Sequence, residues 1–305
     1  MRVLLTGAAG QLGQHLIERC PEHIELLASS RRSAHWACDL SKRSEVTSLL
    51  ESARPDAIIN AAAWTAVDAA EDHESDAKRL NAELPGWLAE WSRINNSGLI
   101  SYSTDYVFDG RPDNGSGQQS GQGWRETDRC RPQSAYGRSK RLGEQAMLDG
   151  GGRILIVRTA WVYSALAGNF LSAILKRAAG GQNLQVVADQ IGSPTWAGTL
   201  ASASWTLLDQ LDSINAPTLM HVAGRGAMSW YEFAQRAVRL AQVAGKVPKS
   251  VQVAPISSDQ WPQQANRPSW SVLDCTNFES WTGMRLPSVE NALEECLEQW
   301  ARHQN

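Results

Sequence analysis

The segment TGAAGQLG at residues 6–13 follows an apolar run at 3–6 and opens an amphipathic stretch, and it restricts the fold of this chain more than any other feature. Gly7, Gly10 and Gly13 allow a tight reversal between a strand and a helix, which is how a βαβ unit begins. Further short apolar runs at 24–28, 57–60, 99–103 and 154–157 predict strands, and a stretch near 36–38 can add another. Helical patterns at 11–19, 44–52, 76–94 and 135–148 lie between them, each long enough to cross from one parallel strand to the next. The expected fold is therefore α/β, a Rossmann-type doubly wound parallel sheet.

After residue 160 the alternation loosens. Helices are predicted at 170–178, 200–211, 230–244 and 289–303, giving a smaller, partly interleaved C-terminal substrate domain. The division expected is 1–160 for the dinucleotide half, with segments near 190–225 returning to it, and 161–305 mostly for substrate. The stretch 110–123, GRPDNGSGQQSGQG, has too little apolar area to pack and reads as a loop.

The glycine turn lets a pyrophosphate approach the backbone, where free N–H groups and the positive end of the helix hold its charge. Gly7, Gly10, Gln11, Leu12 and Gly13 are the candidate cradle. A glycine turn can also be mere punctuation, but strand, spacing and helix agree here. The second strand ends in SSRR at 29–32, where an NAD-selective chain would place an acidic residue. Ser30 and Arg31 suit a 2′-phosphate instead, because guanidinium pairs with phosphate through a planar fork. NADPH is the expected cofactor and NADH the alternative. Ala61, Ala62 and Ala63 would let the dinucleotide lie close to the backbone.

Tyr136 and Lys140, in YGRSK, stand about 6 Å apart along one helix face and can reach the same ligand. A Tyr and Lys at this spacing also arise by chance; the ordered motifs upstream give the pair its weight. Reducing a carbonyl needs a hydride at carbon and a proton for the growing alkoxide. Tyr136 can donate that proton. A nearby ammonium lowers a phenol from its ordinary pKa of about 10, so Lys140 is expected to do this and to bind the nicotinamide ribose. Thr104, at the end of the strand candidate at 99–103, can donate to the carbonyl oxygen.

With its GxxGxxG turn and YxxxK pair the chain resembles the extended short-chain dehydrogenase/reductase superfamily. Longer strings narrow the likeness: NAAAWTAVDAAED at 60–72, LNA at 80–82, STDYVFDG at 103–110, RTAWVYS at 158–164, DQIGSPTWA at 189–197 and ANRPSWSVLD at 265–274. In order over nearly the whole chain, these resemble the dTDP-4-dehydrorhamnose reductase family. That resemblance implies NADPH-dependent reduction of the C4 keto group of dTDP-4-dehydro-L-rhamnose, for cell-surface polysaccharide. It implies catalysis by Thr104, Tyr136 and Lys140, adenine contacts from Asp39 and Leu40, and sugar-nucleotide contacts from Val67, Asp68, Thr104, Asp105, Trp161 and Arg267. Arg267 has its own rationale, since a diphosphate needs a fixed cation.

The resemblance is incomplete where relatives bridge a dimer through a metal. His15 and Gly198 replace two acidic residues there and only Glu290 remains acidic, so no metal is expected and the assembly is monomer or homodimer. A different nucleotide-linked keto sugar remains an alternative substrate. From another class, a non-catalytic regulatory subunit, like that of methionine adenosyltransferase, keeps a Rossmann site, but an intact Thr, Tyr and Lys set weighs against it.

With 29 basic and 32 acidic residues, net charge −3, the chain has no long-range attraction for nucleic acid or anionic lipid. Five scattered cysteines without a CxxC pair read as reduced thiols, and the N-terminal apolar run is too short for a leader or span. The expectation is a cytoplasmic enzyme with no membrane partner.

Overall fold

The computed structural model describes residues 1–31, 36–111, 122–166 and 168–303. Arg32 and most of the loop expected at 110–123 fall outside these residues. The first half runs β1 (Arg2–Thr6), α1 (Gln11–Glu18), β2 (Glu25–Ser29), α2 (Arg43–Ala53), β3 (Ala57–Asn60), α3 (Ala69–Asp72) and α4 (Glu74–Lys78). A π-helical turn (Arg79–Glu83) joins α4 to α5 (Leu84–Asn95), followed by β4 (Gly98–Thr104), α6 (Ala135–Gly150) and β5 (Ile154–Thr159). The second half comprises β6 (Val162–Tyr163), α7 (Phe170–Ala179), β7 (Leu184–Val187), β8 (Ile191–Gly192), β9 (Thr195–Trp196) and α8 (Ala197–Leu208). It continues with β10 (Thr218–His221), β11 (Met228–Ser229), α9 (Trp230–Val243), β12 (Val253–Ile256), α10 (Thr276–Thr282) and α11 (Val289–His303).

Six strands form one parallel sheet in the order β2-β1-β3-β4-β5-β10. All residues of β3, β4 and β5 are buried, as strands covered on both faces must be. One face packs Leu16, Leu200, Trp205 and Phe278 from α1, α8 and α10; the other packs Val46, Leu50, Leu88 and Met147 from α2, α5 and α6. Each such Leu or Val stabilises the fold by roughly 1.5–3 kcal/mol. A separate core joins α7, α9 and α11 through Leu175, Phe233, Val238 and Leu293.

Chain growth reverses between β1 and β3, which opens a crevice beyond their carboxyl ends, where ligands of such sheets bind. A buried chain of bonds ties the strands beneath it. Thr6 Oγ1 donates to Asn60 Oδ1 at 2.7 Å, and Asn60 Nδ2 donates to Ser101 Oγ at 3.0 Å.

Three expectations change. The stretch at 36–38 forms no strand, only a single bridge between Ser30 and Ala37. The helix expected at 76–94 is interrupted by the π turn, a device that recurs at functional sites. The helix expected at 200–211 begins at Ala197 and ends at Leu208, and the short α3 and α10 were not signalled by periodicity.

Candidate active site

The glycine turn is held by backbone packing. Gly7 has φ +73°, and a Cβ there would meet Ala62 N at 2.6 Å; one on Gly13 would overlap Gly7 O. No side chain fits either position, so the turn, α1 and the 61–63 segment close into a cradle lined by backbone. A cavity of about 490 Å³ opens on it, lined by Gly7, Gly10, Ser30, Arg31, Leu40 and Ala61, with Ala62 and Ala63 beside them. The cradle that a Cβ would fill, with a guanidinium at one end, fits a dinucleotide bearing a 2′-phosphate.

Not every predicted cofactor residue faces this cavity. Leu12 packs into the core under the sheet, and Gln11 Oε1 is buried without a partner among the described residues. Asp39 accepts from Ser41 N and Oγ at 3.1 and 2.7 Å, and these bonds to Ser41 hold its carboxyl below the usual range.

Thr104 ends β4, while Tyr136 lies in the first turn of α6, whose N-cap Ser134 accepts from Gly137 N at 3.1 Å. The register of strand and helix brings the Tyr136 hydroxyl close enough to Thr104 for the threonine hydroxyl to favour the phenolate. Burial nevertheless pushes the phenol up to about 12, with the Asp105 carboxylate adding to the rise. This corrects the expectation that Lys140 draws it down. The Lys140 ammonium, 6 % exposed, donates instead to Tyr102 O at 2.6 Å. Its own burial lowers it to about 8, against the pull of Glu144 one turn along α6.

Asp105 is 2 % exposed, and its Oδ1 accepts a hydrogen bond from the Thr104 hydroxyl at 3.0 Å. Burial raises its carboxyl to about 6, opposed by bonds from Ser271 and Thr104, and its Oδ2 has no partner among the described residues.

Residues that carry no chemistry hold α6 in place, and sequence reasoning gave them no role. Asn81, in the π turn, accepts from Trp64 N at 2.9 Å and donates to Trp64 O and Ser139 Oγ, each at 3.0 Å. It was legible only as part of the LNA string. Glu144 is fully buried in a forked pair with Arg158 at 2.7 and 2.8 Å, and Arg141 adds a third bond at 2.8 Å. Burial opposes its charge, but the Arg158 fork holds the carboxyl below the usual range. The Arg158 guanidinium also lies 5.1 Å above the Phe108 ring.

Among the residues expected to contact the sugar nucleotide, Asp68 accepts from Arg267 Nη2 at 2.7 Å and from Ala265 N at 3.0 Å. Burial opposes the Asp68 charge, yet these donors hold its carboxyl below the usual range. Val67 is half-buried beside it. Trp161 adopts φ +47°, a strained conformation for a bulky residue, and stacks on Trp230 with ring centroids 3.6 Å apart. A second cavity, about 270 Å³, is lined by Phe170, Arg177, Gln190, Trp230, Trp261 and Arg267 among others. Only Arg267 of these was predicted. The rest come from α7, α9 and two loops that no spacing rule links.

At the positions where the resemblance points to metal ligands, His15 is fully buried, bonds Ser164 Oγ at 3.0 Å and meets Trp196 edge to face. A Cβ on Gly198 would strike that indole at 2.7 Å. Glu290 pairs with Arg236 at 2.7 Å.

The sequence pattern of the RmlD substrate binding domain matches residues 1–302. The chain is 35% identical to the dTDP-4-dehydrorhamnose reductase of Burkholderia thailandensis, over 97% of this chain and 98% of that one. It is 36% identical to the probable dTDP-4,6-dihydroxy-2-methyloxan-3-one 4-ketoreductase of Streptomyces antibioticus, over 97% and 95% of the two chains. The crystal structure of the Bacillus anthracis dTDP-4-dehydrorhamnose reductase in complex with NADP superposes with a TM-score of 0.84 at 32% identity, covering 98% of this chain and 99% of that one.

Proposed function

This chain belongs to the RmlD substrate binding domain family, that of the dTDP-4-dehydrorhamnose reductases, and on that premise we propose that it reduces the C4 keto group of dTDP-4-dehydro-L-rhamnose to give dTDP-L-rhamnose. It is an NADPH-dependent oxidoreductase of nucleotide-sugar metabolism. The observation that carries the reading is Thr104 at the end of β4 acting on the Tyr136 phenol in the first turn of α6, with buried Lys140 on the same helix.

NADPH, when bound, supplies the hydride. Gly7, Gly10 and Gly13 would let the pyrophosphate approach the backbone, where the free N–H groups at the start of α1 would hold its charge, with Gln11, Leu12, Ser30, Arg31, Asp39, Leu40 and residues 61–63 completing the cofactor set. Tyr136, with its pKa at about 12, keeps its proton at neutral pH and releases it only to the strongly basic oxygen that forms at C4. Lys140, one turn along the same helix, binds the nicotinamide ribose. Thr104 turns its hydroxyl from Asp105 to the substrate oxygen, which aims a donor at the developing charge. Val67, Asp68, Asp105, Trp161 and Arg267 bind the sugar nucleotide, Arg267 exchanging its bond to Asp68 for the diphosphate.

In this reading residues 1–160, with segments near 190–225, hold the cofactor, and 161–305 mostly the substrate. β10 beside β5 and α8 against α1 support that interleaving. We place the enzyme in the cytoplasm, as monomer or homodimer, supported by five free cysteines; among the described residues no helix is long and apolar enough to cross a membrane.

The test follows NADPH absorbance with dTDP-4-dehydro-L-rhamnose. Tyr136→Phe should lower kcat by about 10²- to 10⁴-fold. Undiminished turnover in that variant would discard the mechanism. The likeness to the Streptomyces 4-ketoreductase favours one second reading, a different dTDP-linked 4-keto sugar, and the same assay with that ketone decides between them.

A further inference from the structure

Gln190 is 4 % exposed and lines the 270 Å³ cavity, yet no hydrogen bond among the described residues engages its carboxamide. Polar side chains buried this deeply normally have partners. Its backbone is held on both sides: Ala188 N donates to Ile256 O and Ile191 N to Ser269 O, each at 2.9 Å. Antiparallel pairing of β8 with β11 sets Ser229 opposite Ile191. Continued by one residue, that register sets Trp230 beside Gln190. A carboxamide with both a donor and an acceptor unused therefore stands next to an indole in a cavity whose other aromatic walls are Phe170 and Trp261.

The cavity is smaller than the roughly 300–1,000 Å³ usual for a whole ligand, so it suits one end of a longer molecule. Arg267 marks the other direction. It lines the same cavity, pairs with Asp68, and its charge acts on Tyr106, whose ring meets that of Tyr136 edge to face at 5.6 Å. From the catalytic phenol outward, the order is reacting sugar, cation for a diphosphate, then an aromatic cavity ending in a free carboxamide. We propose that Gln190 is the specificity-determining residue that hydrogen-bonds the edge of the substrate's pyrimidine base. The proposal rests on the sugar-nucleotide reading of the site. The carboxamide accepts from the base N3–H and donates to the neighbouring carbonyl oxygen, while the aromatic walls enclose the ring.

Gln190→Met keeps the length and removes both bonds; Gln190→Glu keeps an acceptor and removes the donor. Binding of dTDP is read from the quenching of tryptophan fluorescence, and inorganic pyrophosphate is measured as a competitor. Kd for dTDP should rise by about 10- to 100-fold in Gln190→Met, with pyrophosphate competition unchanged, because a site built for a hydrogen bond is left unpaired. KM for dTDP-4-dehydro-L-rhamnose should rise in parallel while kcat stays within about twofold. Gln190→Glu should weaken dTDP in the same direction, which covers the case that Gln190→Met does not fold. Unchanged dTDP binding in a folded variant overturns the proposal, as does equal weakening of dTDP and pyrophosphate. Wild-type protein that binds dTDP in a Gln190-dependent way but oxidises no NADPH with this ketone upholds the base contact and sinks only the assigned reaction.

Discussion

The cofactor cavity is walled mostly by glycine, alanine and backbone from the first 63 residues, with Ser30, Arg31, Cys38, Leu40 and Leu80 completing it, whereas the proposed substrate cavity is walled by Phe170, Trp230, Trp261 and Arg267, large side chains from separate parts of the second half. The first depends on what is missing at a position: a Cβ at Gly7 would meet Ala62 N at 2.6 Å. The second depends on what is present. A pyrophosphate is the same in every dinucleotide, so a backbone surface suffices for it, while a base and sugar must be told apart from others and require particular side chains.

This contrast is open to direct attack. The largest effect expected is from Gly7→Val, which adds bulk at φ +73° against immovable backbone. Strain and overpacking should weaken NADPH, measured by fluorescence titration, about 100-fold or more, and leave dTDP binding within about twofold. Equal loss of both ligands would mean that the two cavities are not independent. Arg267→Ala should do the reverse. Losing charge-assisted bonds of roughly 1.5–3 kcal/mol raises KM for the sugar nucleotide about 10- to 100-fold, and Kd for NADPH stays put.

The smallest effect is on pH. Lys140 has its pKa lowered to about 8, so its ammonium is present below that pH and lost above it. The kcat/KM profile, which reports the free enzyme, should bend down as pH rises through about 8. Tyr136, at about 12, contributes no bend near neutrality. A flat profile to pH 10 would show that the lysine charge is not needed.

The same contrast explains what could be read from the amino acids. Sheet, glycine turn and the Tyr136–Lys140 helix follow from short apolar runs, the 3.6 period and glycine at fixed offsets, all local rules. The wall of Phe170, Gln190, Trp230 and Trp261 obeys no local rule, because its members meet through the pairing of β8 with β11, the pairing of β7 with β12 and the packing of α7 on α9. The direction of the phenol shift was misjudged for a related reason. Proximity of Lys140 on the helix is legible, but its bond to Tyr102 O and the desolvation of Tyr136 belong to tertiary structure. The interruption of the helix expected at 76–94 was equally hidden, since Asn81 earns its place only by bonding Trp64 and Ser139.

The Glu144–Arg158 fork has a bearing on where the acid stands. Apolar contacts between a helix and a sheet lack direction and tolerate small shifts of register at the expense of packing. Two parallel N–H···O bonds do not, and here they fasten α6 to β5 one turn beyond Lys140 and two turns beyond Tyr136. The height of the phenol above the sheet is thus fixed by a bolt at the far side of the lysine, out of reach of any ligand.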